Sequence, residues 1–148
     1  MKKVILASTL ILLATPLGTG LSAAPARAEA APSISATPSS DLSDGDTITV
    51  TASGFDPNTK IYVGECAILA SDTLGCNVDD AKIVKPDGAG NASIPIVVRR
   101  SFDARDHNGN KQARVDCPTV VNGCMVAAGN DDHDRSADQS ARAPISFR

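Results

Sequence analysis

The stretch TITVTA, residues 47–52, decides the fold class of this chain. Its apolar residues alternate with three threonines, and this period of two is typical of a strand with one buried face. The same alternation recurs outward along the chain at residues 91–98, 112–117 and 143–147. No window beyond the N-terminal segment sustains the period of an amphipathic helix. The sequence therefore predicts an all-β protein.

Turn-forming sequences separate the predicted strands. Clusters of Ser, Asp, Asn, Gly and Pro occur at residues 43–46, 53–58, 85–88 and 107–110. Connections of hairpin length between about seven strands favour an antiparallel, seven-stranded, immunoglobulin-like sandwich. Pro95 lies inside one predicted strand, and it has no backbone N–H to donate. That strand is predicted to lie at a sheet edge or to carry a bulge.

The N-terminus has the pattern of a secretory signal peptide. A basic start precedes an apolar run at residues 4–13, and small residues follow it. The run is too short for a bilayer-spanning helix, which needs about 20 residues. Cleavage after Ala28 and cleavage after Ala30 both satisfy the small-residue rule. We therefore expect a signal peptide at 1–28, a secreted domain at 29–148, and no membrane association after cleavage.

The net charge argues against nucleic-acid binding by the polypeptide itself. The whole chain has a formal charge of −3, and residues 1–28 contain three cations and no acidic residue, so the exported chain carries −6. Such a protein repels a polyanion unless its cations are concentrated on one face. Arg99 and Arg100 are the only adjacent basic pair that remains after cleavage.

The four cysteines are predicted to form disulfides, because an even cysteine count in an exported chain is typical of them. Three pairings are possible. The simplest joins Cys66 to Cys76 and Cys117 to Cys124, since each pair flanks a predicted turn. Loops this short contribute about 2.5–3 kcal/mol each on the chain-entropy model. The alternative, a four-cysteine zinc site, lacks the usual C-x2-C spacing.

Motifs for catalysis or metal binding are missing. The two histidines, His107 and His133, lie in polar loop sequences, and there is no G-x-S-x-G elbow. A calcium or zinc site is conceivable at residues 130–134, but the cluster lacks the periodic acidic spacing of an EF-hand. Disulfide formation also removes every thiolate nucleophile. The sequence therefore predicts neither an enzyme nor a metalloprotein.

Six motifs, in order, resemble those of a known family. Together with the cysteine spacing they are similar to the neocarzinostatin family, the apoproteins of actinomycete chromoprotein antibiotics, from about residue 30 to 147. The motifs are Thr37–Gly45, Gly64–Leu69, Gly75–Asn77, Val98–Phe102, Val115–Cys117 and Ile145–Phe147.

The resemblance implies a fold and a function. It implies the seven-stranded sandwich with disulfides Cys66–Cys76 and Cys117–Cys124. It also implies non-covalent binding of an enediyne-type chromophore, which itself cleaves DNA, so that the protein stores, protects and delivers an antibiotic. DNA is then a partner only through the ligand. We expect the protein to be a monomer.

The resemblance places the ligand between the Cys66–Cys76 hairpin and the loop after Phe102. The disulfide is expected on the floor of this cleft, with apolar side chains as its walls. Those side chains equally fit an ordinary hydrophobic core. The implied ligand-binding residues are Cys66, Ile68, Leu74, Cys76, Phe102 and Met125.

The chain also departs from the family pattern. Ala81 stands where relatives tend to have phenylalanine, the loop after Phe102 lacks aromatic residues, and residues 130–142 are longer and more charged than usual. Fewer rings mean fewer stacking partners for a ligand. A second hypothesis is therefore a secreted immunoglobulin-like module that has lost the chromophore and contacts protein or surface partners.

Overall fold

The computed structural model describes residues 30–130 and 139–148. The predicted signal peptide and the acidic cluster around His133 lie outside these residues. No described segment is a helix long and apolar enough to cross a membrane. Ten strands are present in the described residues: β1 Ser33–Thr37, β2 Thr47–Ser53, β3 Ile61–Ile68, β4 Leu74–Cys76, β5 Lys82–Val84, β6 Ala92–Val97, β7 Ser101–Arg105, β8 Lys111–Asp116, β9 Cys124–Asn130 and β10 Ser140–Ile145.

The strands form two sheets, and every pairing between them is antiparallel. The smaller sheet has the order β1-β2-β6. The larger, seven-stranded sheet has the order β10-β9-β3-β4-β7-β8, with β5 also paired to β3. This arrangement confirms the predicted all-β antiparallel sandwich. The strand count is higher than seven partly because β4 and β5, of three residues each, are separate strands.

The alternation seen in the sequence sets which side chains enter the core. In β2 the apolar residues are buried and the threonines are exposed, as predicted. In β6, Ile94 and Ile96 are buried and Pro95 between them is exposed. Because β6 lies at the edge of its sheet, Pro95 is compatible with the ladder, and the predicted edge position is confirmed.

The core between the sheets is mostly aliphatic. Only Phe55 and Phe102 contribute buried rings, and valine, isoleucine and alanine side chains fill most of the remaining space. Strand β3 contributes Ile61, Val63 and Ala67 to this core. With so little aromatic surface to bury, the two disulfides supply a substantial share of the restraint on the unfolded chain.

Both disulfides are present in the simplest predicted pairing. Cys66 and Cys76 lie directly opposite each other on β3 and β4, with their Cα atoms 4.0 Å apart. Cys117 follows β8 and Cys124 begins β9, with Cα atoms 5.2 Å apart. The first bond holds a hairpin within the larger sheet, and the second joins the edge strand β8 to the interior strand β9.

We predict that Ile48→Ala and Thr49→Ala have very different costs, although the two residues are neighbours on β2. Ile48 is fully buried, so its truncation should lower the free energy of unfolding by about 2–5 kcal/mol. Thr49 is exposed, so its truncation should cost less than about 1 kcal/mol. Urea denaturation of both variants measures the difference. Equal costs would contradict the register of β2.

Candidate functional site

One face of the larger sheet points away from the smaller sheet, and we call it the outer face. On β3 and β9, side chains alternate between the core and this face. Val63 and Val126 point into the core, so the residues next to them in sequence point outward. Cross-strand partners lie on the same face of a sheet, so the β4 partners of the outward-pointing β3 residues also belong to the outer face. The outer face therefore contains Tyr62, Gly64, Cys66, Ile68, Leu74, Cys76, Met125 and Ala127.

The Cys66–Cys76 disulfide lies at the centre of the outer face. Met125 is the cross-strand partner of Cys66 on β9, and Cys76 is its partner on β4. Ile68 and Leu74 form the next pair along the hairpin and are partly exposed. The structure thus brings five of the six predicted ligand-binding residues together on one face of the sheet, where Cys66 is fully buried and the other four are partly exposed.

Phe102 does not join this group. Its side chain is only 4% exposed and packs in the core, as does that of Ala104 two residues later. The alternation along β7 instead turns Ser101, Asp103 and Arg105 toward the outer side. The ring of Phe102 therefore lies on the core side of β7 and not on the outer face, although the residue also lines the groove described below, and its role in ligand binding stays a prediction.

Tyr62 is a feature of the outer face that the sequence analysis missed. A side chain at Gly64 would collide with the ring of Tyr62, so the ring lies over that glycine. The phenol donates a hydrogen bond to the backbone carbonyl of Asn77 at 3.4 Å. Burial raises the pKa of Tyr62 to about 12, so the phenol stays protonated at physiological pH. Ile83, its partner on β5, is 55% exposed beside it.

The end of β7 lies against the disulfide hairpin, because Arg105 pairs with Cys76. The following loop is organised by the Asp106 carboxylate, which accepts backbone N–H groups from Asn108 and Asn110. The hydrogen bond from the Asn110 backbone N–H is the main reason that the pKa of Asp106 is lowered. The two segments between which the ligand was expected are therefore adjacent, and the loop is held by its own hydrogen bonds.

A groove of about 310 Å³ adjoins the outer face, and we call it the polar groove. Asn77 connects the two surfaces, since it follows Cys76 directly and its carbonyl accepts the Tyr62 phenol. The groove is within the size range of small-ligand sites, although its lining is mainly polar. It is lined by Asn77, Asp79, Asp80, Arg99, Ser101, Phe102, Asp103 and Arg114.

The cations near the groove are neutralised by carboxylates. The Arg99 Nε atom is 2.9 Å from Asp80, and this hydrogen bond is the main reason that the pKa of Asp80 is lowered. Lys111 and Arg114 both contact Asp103, at 3.0 and 3.4 Å. Such paired side chains do not form a basic track for a phosphate backbone.

Glu65 is a second residue that the sequence analysis missed. Its side chain is 2% exposed on the inner side of β3, and its Oε2 atom accepts the Arg99 backbone N–H at 2.8 Å. Burial raises the pKa of Glu65 from 4.5 to about 8. Glu65 also lies near the sulfurs of Cys117 and Cys124, but these two atoms are bonded to each other and offer no thiolate to a metal.

Both omissions have the same physical cause. Strand β3 reads IYVGECAI and is covered on both faces, so it does not show the alternation that identified β2 and β6. The available signal was compositional: one glutamate inside an otherwise apolar run, and the single tyrosine of the chain next to it.

Comparison with known sequences assigns the chain to one family. The neocarzinostatin family profile matches residues 34–147. The chain is 34% identical to macromomycin of Streptomyces macromomyceticus over 114 residues, which cover 76% of this chain and 78% of that protein. It is 37% identical to apokedarcidin of an actinomycete over 119 residues, covering 80% and 99%. The runs at residues 66–69 and 75–78 resemble kedarcidin apoprotein in particular.

Solved structures agree with this assignment. The structure of macromomycin matches with a TM-score of 0.71 at 32% identity, covering 80% of this chain and all of that one. The solution structure of apokedarcidin matches with a TM-score of 0.61 at 35% identity and the same coverage. The sequence profile, the disulfide pairing and the sandwich therefore lead to one conclusion: this chain belongs to the neocarzinostatin family.

Proposed function

We propose that this protein is a secreted carrier that binds a small apolar, enediyne-type antibiotic chromophore without a covalent bond. It shields the chromophore from water and delivers it, and any action on DNA belongs to the ligand. Family membership supports the proposal, since the family consists of non-enzymatic apoproteins that carry such chromophores. It also identifies the chain as a non-enzymatic protein, as the sequence predicted.

The observation that carries the proposal is the apolar outer face around the Cys66–Cys76 disulfide. Five apolar or aromatic side chains lie on this face, and they are spread over β3, β4, β5 and β9. The disulfide fixes the hairpin before a ligand arrives, so little conformational entropy is lost on binding. The five side chains are Tyr62, Ile68, Leu74, Ile83 and Met125.

The position of the polar groove suggests how one ligand uses both surfaces. An apolar body lies on the outer face, while polar substituents reach past Asn77 toward the Arg99–Asp80 pair. Apolar contact supplies most of the affinity, and a few placed polar groups fix the orientation. Tyr62 is the only aromatic ring on the apolar part of this surface in the described residues, so aliphatic contact outweighs ring stacking.

The proposal predicts a bound chromophore in protein purified from its own host. The chain has no tryptophan and one tyrosine, so absorbance beyond the tyrosine band has to come from a ligand. Native mass spectrometry should show an added mass that organic extraction removes. Protein that carries neither the absorbance nor the mass, from a host culture in production phase, would favour the alternative of an immunoglobulin-like module for protein or surface partners.

The outer face also predicts the behaviour of Leu74→Asp. Leu74 lies on the outer face and is partly exposed, so a charge there should cost only about 1–2 kcal/mol of stability. The same charge should weaken binding of the neutral apolar dye Nile red at least tenfold, because it places an unpaired carboxylate against the dye. Thermal melts and dye titrations measure the two effects separately.

Val121→Asp is the matched control for this variant. Val121 is 93% exposed, lies in the loop between Cys117 and Cys124, and is not one of the outer-face residues. It should change neither dye binding nor stability. If Leu74→Asp unfolds the domain, Leu74 is a core residue, and if the folded variant binds the dye as tightly as the wild type, the binding surface lies elsewhere.

A further inference from the structure

Four residues form a closed ring of hydrogen bonds between the core and the polar groove. The Arg99 backbone N–H donates to Glu65 Oε2 at 2.8 Å, and its side-chain Nε donates to Asp80 at 2.9 Å. Asn77 Nδ2 donates to the same Asp80 oxygen at 3.1 Å. The Asn77 backbone N–H closes the ring by donating to the Glu65 carbonyl at 2.8 Å. Three members line the groove, and the fourth, Glu65, is 2% exposed.

Burial and nearby negative charge favour the neutral form of Glu65, and they outweigh the hydrogen bonds from the Arg99 backbone N–H and the Asn77 side chain, which favour the ionised form. The guanidinium of Arg99 is engaged with Asp80, so only the backbone N–H of that residue reaches the Glu65 carboxyl. Among residues 30–130 and 139–148, no side chain forms an ion pair with Glu65. Asp80 and Asp44 add negative charge nearby, and the Cys117 sulfur, 3.6 Å from Oε1, belongs to a disulfide and does not titrate. A buried carboxyl without a cation is stable when protonated.

We propose that Glu65 is a pH-sensitive switch for the wall of the polar groove. Protonated Glu65 holds the ring of hydrogen bonds closed and keeps Asn77 in place under the Tyr62 phenol. Loss of the proton opens the ring and alters the groove and the adjoining outer face. The consequence for ligand release rests on the proposed function, whereas the conformational switch itself does not.

The opening follows from competition for Arg99. An ionised Glu65 is stabilised either by water entering the site or by the Arg99 guanidinium turning toward it. The first response separates the Glu65 side chain from the Arg99 backbone, and the second breaks the ion pair with Asp80. In the first case water competes for the hydrogen bond between the Asn77 side chain and the Glu65 carboxyl, and in the second Asp80, to which Asn77 also donates, loses its cation. Both changes act on Asn77, whose backbone carbonyl accepts the Tyr62 phenol.

The same titration makes global stability depend on pH. Between pH 4.5 and the folded pKa of about 8, the unfolded chain has lost the Glu65 proton and the folded chain has kept it. The contribution of Glu65 to stability is therefore fully present below pH 4.5 and is lost progressively as the pH rises toward 8. Relative to a variant that does not titrate, the unfolding equilibrium constant should rise up to tenfold per pH unit.

Tyrosine fluorescence of the ligand-free protein tests the switch, because Tyr62 is the only tyrosine and there is no tryptophan. We expect an inflection near pH 8 in the folded wild-type protein, well below the pH at which Tyr62 ionises. Glu65→Gln keeps the shape and an acceptor for Arg99 but does not titrate, so the inflection should disappear. An inflection that persists in Glu65→Gln, or is missing from the wild type, would overturn the proposal.

Two further variants keep the test decisive. Asp41→Asn makes the same chemical change at an exposed residue outside the ring and should leave the inflection in place. Asp80→Asn removes a negative charge that disfavours Glu65 ionisation and frees the Arg99 guanidinium, so the inflection should move to lower pH. If Glu65→Gln does not fold, the inflection of Asp80→Asn becomes the test. A shift to lower pH supports the switch, and an unchanged inflection refutes it. If the inflection is observed but protein from the host carries no chromophore, the switch stands and the carrier function fails.

Discussion

The backbone hydrogen bonds of β3, Ile61–Ile68, connect most of the larger sheet, since this strand pairs with β9 on one side and with β4 and β5 on the other. Its odd-numbered residues build the core and its even-numbered residues build the outer face. A slip of one residue would move Glu65 outward and the Cys66 sulfur inward. The Cys66–Cys76 disulfide opposes such a slip, so the core and the candidate site depend on the same register.

The two sides of β3 also explain why the candidate site combines apolar and polar surfaces. On the outer side, Tyr62 and Cys76 are partly exposed, while Cys66 is fully buried. On the inner side, Glu65 connects through Arg99 and Asn77 to the lining of the groove. Asn77 belongs to both surfaces, because its carbonyl accepts the phenol and its N–H donates to β3. A ligand on the outer face is therefore next to the hydrogen-bond ring.

The sequence predicted the parts of this arrangement that local patterns encode. The alternation of β2 and β6 can be recognised in the sequence because one side of each strand faces solvent. The disulfide pairing can be predicted because each bond closes a short loop. The pairing of Cys76 with Arg105 joins segments far apart in sequence, which no local pattern specifies. Phe102 was assigned to the ligand surface from a motif match, and the structure places its ring in the core, where the residue also lines the polar groove.

The central claim is that a small apolar ligand binds on the outer face beside the disulfide. Met1 and Met125 are the only methionines, so protein without the predicted signal peptide has one methionine methyl group, on that face. The most direct measurement is an NMR titration of protein labelled with ¹³C at the methionine methyl group, using the chromophore extracted from host-purified protein. The account predicts that the Met125 methyl resonance shifts and saturates with one equivalent of ligand. A saturated complex in which this resonance has not moved would contradict it.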